Sequence, residues 1–90
     1  MRFEWDENKR QANIEKHALD FLDALDAFDG RPVWSVPATR KDEERFITVT
    51  MIEGRFCAVI WCWRHENIRI ISFRRARNDE ERKYKNLHTG

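Results

Sequence analysis

The chain has 90 residues, with 17 Lys plus Arg against 16 Asp plus Glu and a net charge of +1. That length suits one domain, residues 1–90, and burial of roughly 60–65% of the unfolded surface, which excludes two separate catalytic domains. No run approaches the ~18 apolar residues that cross a bilayer, and Met1-Arg2-Phe3-Glu4 is unlike a signal peptide, so a soluble chain, cytoplasmic if bacterial, is expected.

Arg2 to Trp5 reads as a short extended start, and Asp6 as the cap of a helix over residues 7–16. Ala18 and Leu19 interrupt that helix. Asp20 looks like a second N-cap, because Phe21, Leu22, Leu25 and Phe28 follow at the spacing of one buried helix face. Asp29-Gly30 stops the second helix. The period then changes. Val33 to Val36 predict a short strand closed by Pro37, residues 38–44 a polar loop, and Phe46 to Ile52 a strand rich in β-branched residues. Glu53-Gly54 predicts a hairpin turn into a strand over 55–63, apolar on both faces and therefore central. Residues 64–67 turn again into a strand over Ile68 to Arg74, and Asp79 is the expected cap of a last helix over 80–87. The outline is β-α-α-β-β-β-α, an α+β fold in two layers, with the helices against one face of an antiparallel sheet. Cys57 and Cys62, five apart on one strand, point to opposite faces and do not pair; they read as small buried hydrophobes.

The small net charge hides an uneven distribution. Residues 1–30 carry net −4, 31–63 net +1 and 64–90 net +4. The last segment holds Arg64, Arg69, Arg74, Arg75, Arg77 and Arg82. Arginine makes forked contacts with phosphate that lysine cannot, so such a concentration points to a polyanion or an acidic partner. The alternative is a solvated surface neutralised by the acidic first third.

Strict alternation along IRIISFR sends Ile68, Ile70, Ser72 and Arg74 to one sheet face and Arg69, Ile71, Phe73 and Arg75 to the other. Arg64 lies at the adjoining turn and Arg77 just past the strand. Such arginines suit a phosphodiester and the extra charge of a pentacoordinate phosphorus; alternatively Arg69 and Arg75 pair with Asp or Glu of the helices. Lys9 and Lys16 are two helical turns apart on one face, and His17 follows. A helix C-terminus favours cations, which gives Lys16 and His17 a structural reason, while histidine is also the usual proton shuttle near neutral pH. Glu80 and Tyr84, four apart, share a helix face and either position a ribose hydroxyl or an arginine, or serve the first turn and packing. Trp61 and Trp63 project from one strand face, as core filling or as base-stacking platforms. No Cys/His spacing resembles a zinc site and no carboxylate cluster suits Mg²⁺, so neither metal nor cofactor is expected.

The run Trp5-Asp6, Lys9, Asn13, Lys16-His17, Phe21, Ala24 and Phe28, followed by Arg45, Gly54-Arg55, Arg64, Arg69-Ile70-Ile71-Ser72, Arg74, Ala76, Glu80 and Tyr84, resembles the BrnT family of type II toxins over nearly the whole chain. Ala18, Thr50 and Phe73 depart from it: the first two stand where the family usually has glycine, the third where a small residue is common. The resemblance implies a RelE-like fold and RNA cleavage that blocks translation. It also implies neutralisation by an antitoxin of the BrnA type, which binds operator DNA so that the complex represses its own operon. The simplest metal-independent route is attack by the ribose 2′-hydroxyl on its own phosphate. On this reading Arg64, Arg69, Arg74 and Arg77 form the clamp, Lys9 helps bind RNA, His17, Lys16 and Glu80 move protons, and Tyr84 orients. The competing expectation is a non-catalytic module that binds antitoxin or RNA.

Overall fold

The computed structural model describes residues 2–89. Phe3–Glu4 is β1. Asp6 caps α1 (Glu7–His17) by accepting from the N–H groups of Asn8 and Lys9 at 2.8 and 3.3 Å. α1 stops at Ala18, whose φ of 56° lies in the left-handed region and whose N–H reaches Ile14 O at 2.8 Å. This is the position at which the resemblance led one to expect glycine, the residue that adopts such a φ without steric cost. Asp20 caps the next segment as expected, but the single helix divides into α2 (Phe21–Ala24) and a 3-10 turn (Leu25–Phe28). Gly30, with φ at 97°, ends it.

The remaining elements are β2 (Trp34–Pro37), β3 (Phe46–Ile52), β4 (Arg55–Arg64), β5 (Asn67–Arg75) and α3 (Asn78–His88). Among the described residues four strands follow the first two helices, each where the sequence placed one, so the outline β-α-α-β-β-β-α was one strand short. The sheet has the order β1-β5-β4-β3-β2 and is mixed: β1 lies parallel to β5, with Phe3 beside Ile68 and Glu4 beside Arg69, while the other pairs are antiparallel. α3 begins at Asn78 with Arg77 as its cap residue, because the Glu80 carboxylate turns back to accept from the Arg77 N–H at 2.8 Å. Asp79 sits inside the first turn instead of capping it.

The helices occupy both sheet faces, which makes three layers. On one face, Phe21, Ala24 and Ala27 meet Cys57, Val59, Trp61, Ile68, Ile70 and Phe73 in the core. Trp61 is 8% exposed, stacks on Phe46 and donates its indole N–H to Thr48 Oγ1 at 2.8 Å. Core filling therefore accounts for Trp61; Trp63 is half exposed. On the opposite face, Tyr84 of α3 packs edge-on against Phe56, and Lys83 lies over the Trp34 ring. α3 thus covers the part of that face over β2, β3 and the start of β4.

Both rims of the sheet are handled by side chains. At one rim β1 covers only the first part of β5. Past it, Asn13 of α1 acts as a substitute strand: its Oδ1 accepts from Phe73 N–H at 3.1 Å and its Nδ2 donates to Phe73 O at 2.8 Å and Leu19 O at 2.9 Å. At the other rim, the Ala38 N–H to Arg45 O bond fixes the phase of the β2–β3 ladder, so Trp34 and Val36 bond inward while Ser35 and Pro37 face out. His88 Nε2 sits 2.8 Å from the Val33 carbonyl beside them.

Candidate active site

A bulge decides where the arginines lie. Ile60 pairs with Ser72 and Trp61 with Ile70, so Ile71 is an extra residue in β5. An extra residue shifts the side-chain phase beyond it. Phe73 and Arg75 therefore join Ile68 and Ile70 on the core face, while Arg69, Ser72 and Arg74 share the face that carries α3. Strict alternation had assigned Arg69 and Arg74 to opposite faces; the bulge corrects this. Arg64, two residues beyond Cys62 on β4, falls on the same face.

Across that face the register sets three rows. Arg45, one residue before β3, aligns with Cys62 and Arg69, and Glu4 of β1 completes the row. Val36, Ile47, Ile60 and Ser72 make a half-buried, largely apolar second row. Trp34, Val49, Ala58 and Arg74 make the third, next to α3.

Two of the candidate arginines are already paired. Arg74 makes a two-point contact with Glu80, at 2.8 and 2.9 Å, and Arg69 bonds Glu4 at 2.7 Å. Arg74 holds the Glu80 carboxyl below the usual carboxylate range, against the opposing effect of burial, and the Arg77 N–H adds to this. Glu80 is therefore a carboxylate near neutrality with its oxygens engaged, suited to fixing Arg74 and poorly suited to taking a proton. Glu4 is likewise lowered, first by its bonds to Arg69 and Asn67, with the Arg64 charge contributing. Arg45 bonds Glu43 at 2.6 Å and lowers its carboxyl; the charges of Arg64 and Lys9 act on the same group.

The α1 candidates divide by flank. At about 100° per residue, Lys9 and Lys16 lie to one side of Asn13, and Arg10 and His17 to the other. Arg10 turns toward the core face, where it bonds Asp20 at 2.7 Å. Lys9 and Lys16 therefore border the arginine face. His17 is half-buried at the helix end, one turn past the residue that grips Phe73. Tyr84 follows Glu80 by one turn of α3. Arg77 is exposed.

The structure thus gathers Arg64, Arg69 and Lys9 at one end of the face and Arg74, Glu80 and Tyr84 at the other. Two participants were missed. Arg45 needed only the strand phase of 46–52 extended back by one residue. Asn13 is one of the positions that carry the family resemblance, but its bonds to both main-chain groups of Phe73, 60 residues away, were not legible from it. A separate cleft of about 230 Å³ opens on the core face beside Leu19, Asp23, Arg55 and Cys57, and none of the candidate residues lines it. Among the described residues no group of three His, Cys, Asp or Glu is gathered as metal ligands, and no helix is long and apolar enough to cross a membrane.

One face of this small α+β domain thus carries Arg45, Arg64, Arg69 and Arg74, three of them oriented by carboxylates, and forked guanidinium groups suit anionic oxygens. Residues 5–80 match the family model described as the ribonuclease toxin, BrnT, of type II toxin-antitoxin systems, and the chain belongs to that family. The match stops at Glu80, so Tyr84 lies beyond it. No curated protein gives a match.

Proposed function

We propose that this ribonuclease toxin cleaves RNA on the arginine face without a metal ion, by attack of a ribose 2′-hydroxyl on the adjacent phosphorus. The O2′–P bond forms as the P–O5′ bond breaks. The products are a 2′,3′-cyclic phosphate and a free 5′-hydroxyl, and one proton passes from O2′ to the leaving oxygen. Arg74 clamps the phosphate as charge builds on it, with Glu80 as its positioning residue. Arg64, Arg69, Arg77 and Lys9 hold the flanking backbone. Lys16, on the flank of α1 that borders the arginine face, moves the proton, and Tyr84 orients the sugar; His17, expected beside it, lies on the opposite flank with Arg10 and is left out of this route. The carrying observation is the bulge at Ile71, which sets Arg69 and Arg74 on the same face as Arg64. The carboxylates on this face are already engaged by arginine, which favours electrostatic over metal-assisted chemistry.

A type II toxin has an antitoxin partner. In this reading the partner is of the BrnA type, covers the arginine face, and carries the DNA-binding function through which the complex represses its operon. Expression of the toxin alone should arrest translation, and Arg74→Ala should relieve the arrest. Purified protein should cut RNA in EDTA and leave cyclic-phosphate ends; loss of cutting in chelator refutes the metal-free route. The pairing of Arg69 and Arg74 with carboxylates favours one second reading, a non-catalytic module that binds antitoxin or RNA. Normal growth on overexpression, together with tight antitoxin binding and uncut RNA, would establish it.

A further inference from the structure

The row Arg45–Cys62–Arg69 lies five β5 residues from Arg74, roughly 13–17 Å along the strand. The apolar row of Val36, Ile47 and Ile60 separates the two. Arg64 stands beyond Cys62 on the same face, and the Lys9 charge reaches Glu43 at its margin. Four cations therefore crowd one end of the sheet, where Arg69 turns outward to Glu4, while Arg74 at the other end turns to Glu80.

We infer that the flanking-backbone residues Arg64, Arg69 and Lys9, joined by Arg45, make up a second binding site for the phosphodiester backbone of single-stranded RNA at this end of the face, which Glu43 and Glu4 occupy in the free protein. The inference rests on the reading of this face as RNA-binding. Each carboxylate stands where a phosphate oxygen would: Glu43 Oε1 is 2.6 Å from Arg45 Nε, and Glu4 Oε2 is 2.7 Å from Arg69 Nη1. Both pairs are partly open to solvent, so phosphate can displace the carboxylates without unfolding anything. A strand bound here extends over the apolar row toward Arg74 and enters the reacting centre a few nucleotides later. The site thereby fixes register along the RNA, while the carboxylates set a threshold that weak or short anions do not pass.

The test uses the full chain and a labelled RNA oligonucleotide with 2′-O-methyl riboses, which removes the attacking hydroxyl, and reads affinity by fluorescence anisotropy over a salt series. Arg45→Ala should weaken binding and lower the slope of log affinity against log salt by about 0.7, the value for one lost contact to a single strand. Glu43→Gln should tighten binding roughly two- to fivefold, the scale of one exposed ion pair. Glu44→Gln, the same charge change next door, should tighten it less. An unchanged slope in Arg45→Ala overturns the second site, and a Glu43→Gln effect no larger than that of Glu44→Gln overturns its occupation by carboxylate. Thermal melts of each variant separate these results from misfolding. Cutting of ordinary RNA by wild type, measured alongside, keeps the two readings apart. Variants that behave as expected in a protein that cuts nothing sink the nuclease reading alone. Cutting with indifferent variants sinks the second site alone.

Discussion

Replacing Asn13 gives a measurement that isolates one side chain's work. Asn13 is 7% exposed and makes three bonds, to Leu19 O and to both main-chain groups of Phe73. Asn13→Ala strands one N–H and two carbonyls at the β5 rim. At about 1–3 kcal/mol for each buried unsatisfied group, reduced where water enters at the rim, the loss is about 3 kcal/mol. That is a large share of the ~5–15 kcal/mol of a domain this size and corresponds to a melting point lower by roughly 12–24 °C. Asn13→Asp separates geometry from volume. Its ionised carboxylate still accepts from Phe73 N–H but faces two carbonyl oxygens, so burial and these neighbours raise its pKa. The variant is then at its most stable below the unfolded aspartate pKa, and loses stability as pH rises through the higher native value. Urea unfolding at pH 4 and pH 8 reads the difference. If Asn13→Ala melts within about 3 °C of wild type, or Asn13→Asp shows no recovery in acid, Asn13 is not holding the strand.

Glu80→Gln should cost about 1–2 kcal/mol at pH 7 by weakening the charge-assisted contact with Arg74. Because the native Glu80 carboxyl is held low, its contribution is full above the ordinary glutamate range near 4.5 and is lost as pH falls through the native value. The gap between wild type and Glu80→Gln in chemical unfolding should therefore close in acid, and a constant gap contradicts the pairing. Ala18→Gly should raise stability by about 1 kcal/mol, because the left-handed φ of 56° penalises a Cβ; an unchanged or lower melting point rejects the reasoning. Burial pushes the thiols of Cys57 and Cys62 up, so both should resist a thiol reagent at pH 8 in the native protein and react once it is unfolded. Fast native labelling at either position would show that the strand core is open.

Sequence periodicity served well wherever a contact was local. Asp6 and Asp20 announce helix starts because a carboxylate caps amides two or three residues away, and Glu53-Gly54 announces a hairpin because both residues take positive φ. It failed where placement depends on a distant partner. Ile71 has nothing in its own chemistry to mark it as the extra residue; the register of β4 decides, and with it the side on which Arg74 emerges. The parallel seat of β1 on β5 and the arrival of α3 on the second face are long-range choices of the same kind. For the candidate site, the arginine segment was legible; an acidic partner for Arg69 was expected from the helices, and it comes instead from β1. That Glu4 supplies that partner was not legible, since the two residues lie 65 positions apart.

The outer rim of the sheet has a bearing on edge-to-edge pairing. Within Trp34–Pro37, Ser35 alone presents an outward amide hydrogen, because its neighbours bond β3 and proline has none, while His88 caps the adjacent Val33 carbonyl. An incoming chain therefore finds almost no ladder to continue along this border. With one amide hydrogen and the carbonyls of Ser35 and Pro37 as its outward groups, this border disfavours growth of the sheet into a ribbon.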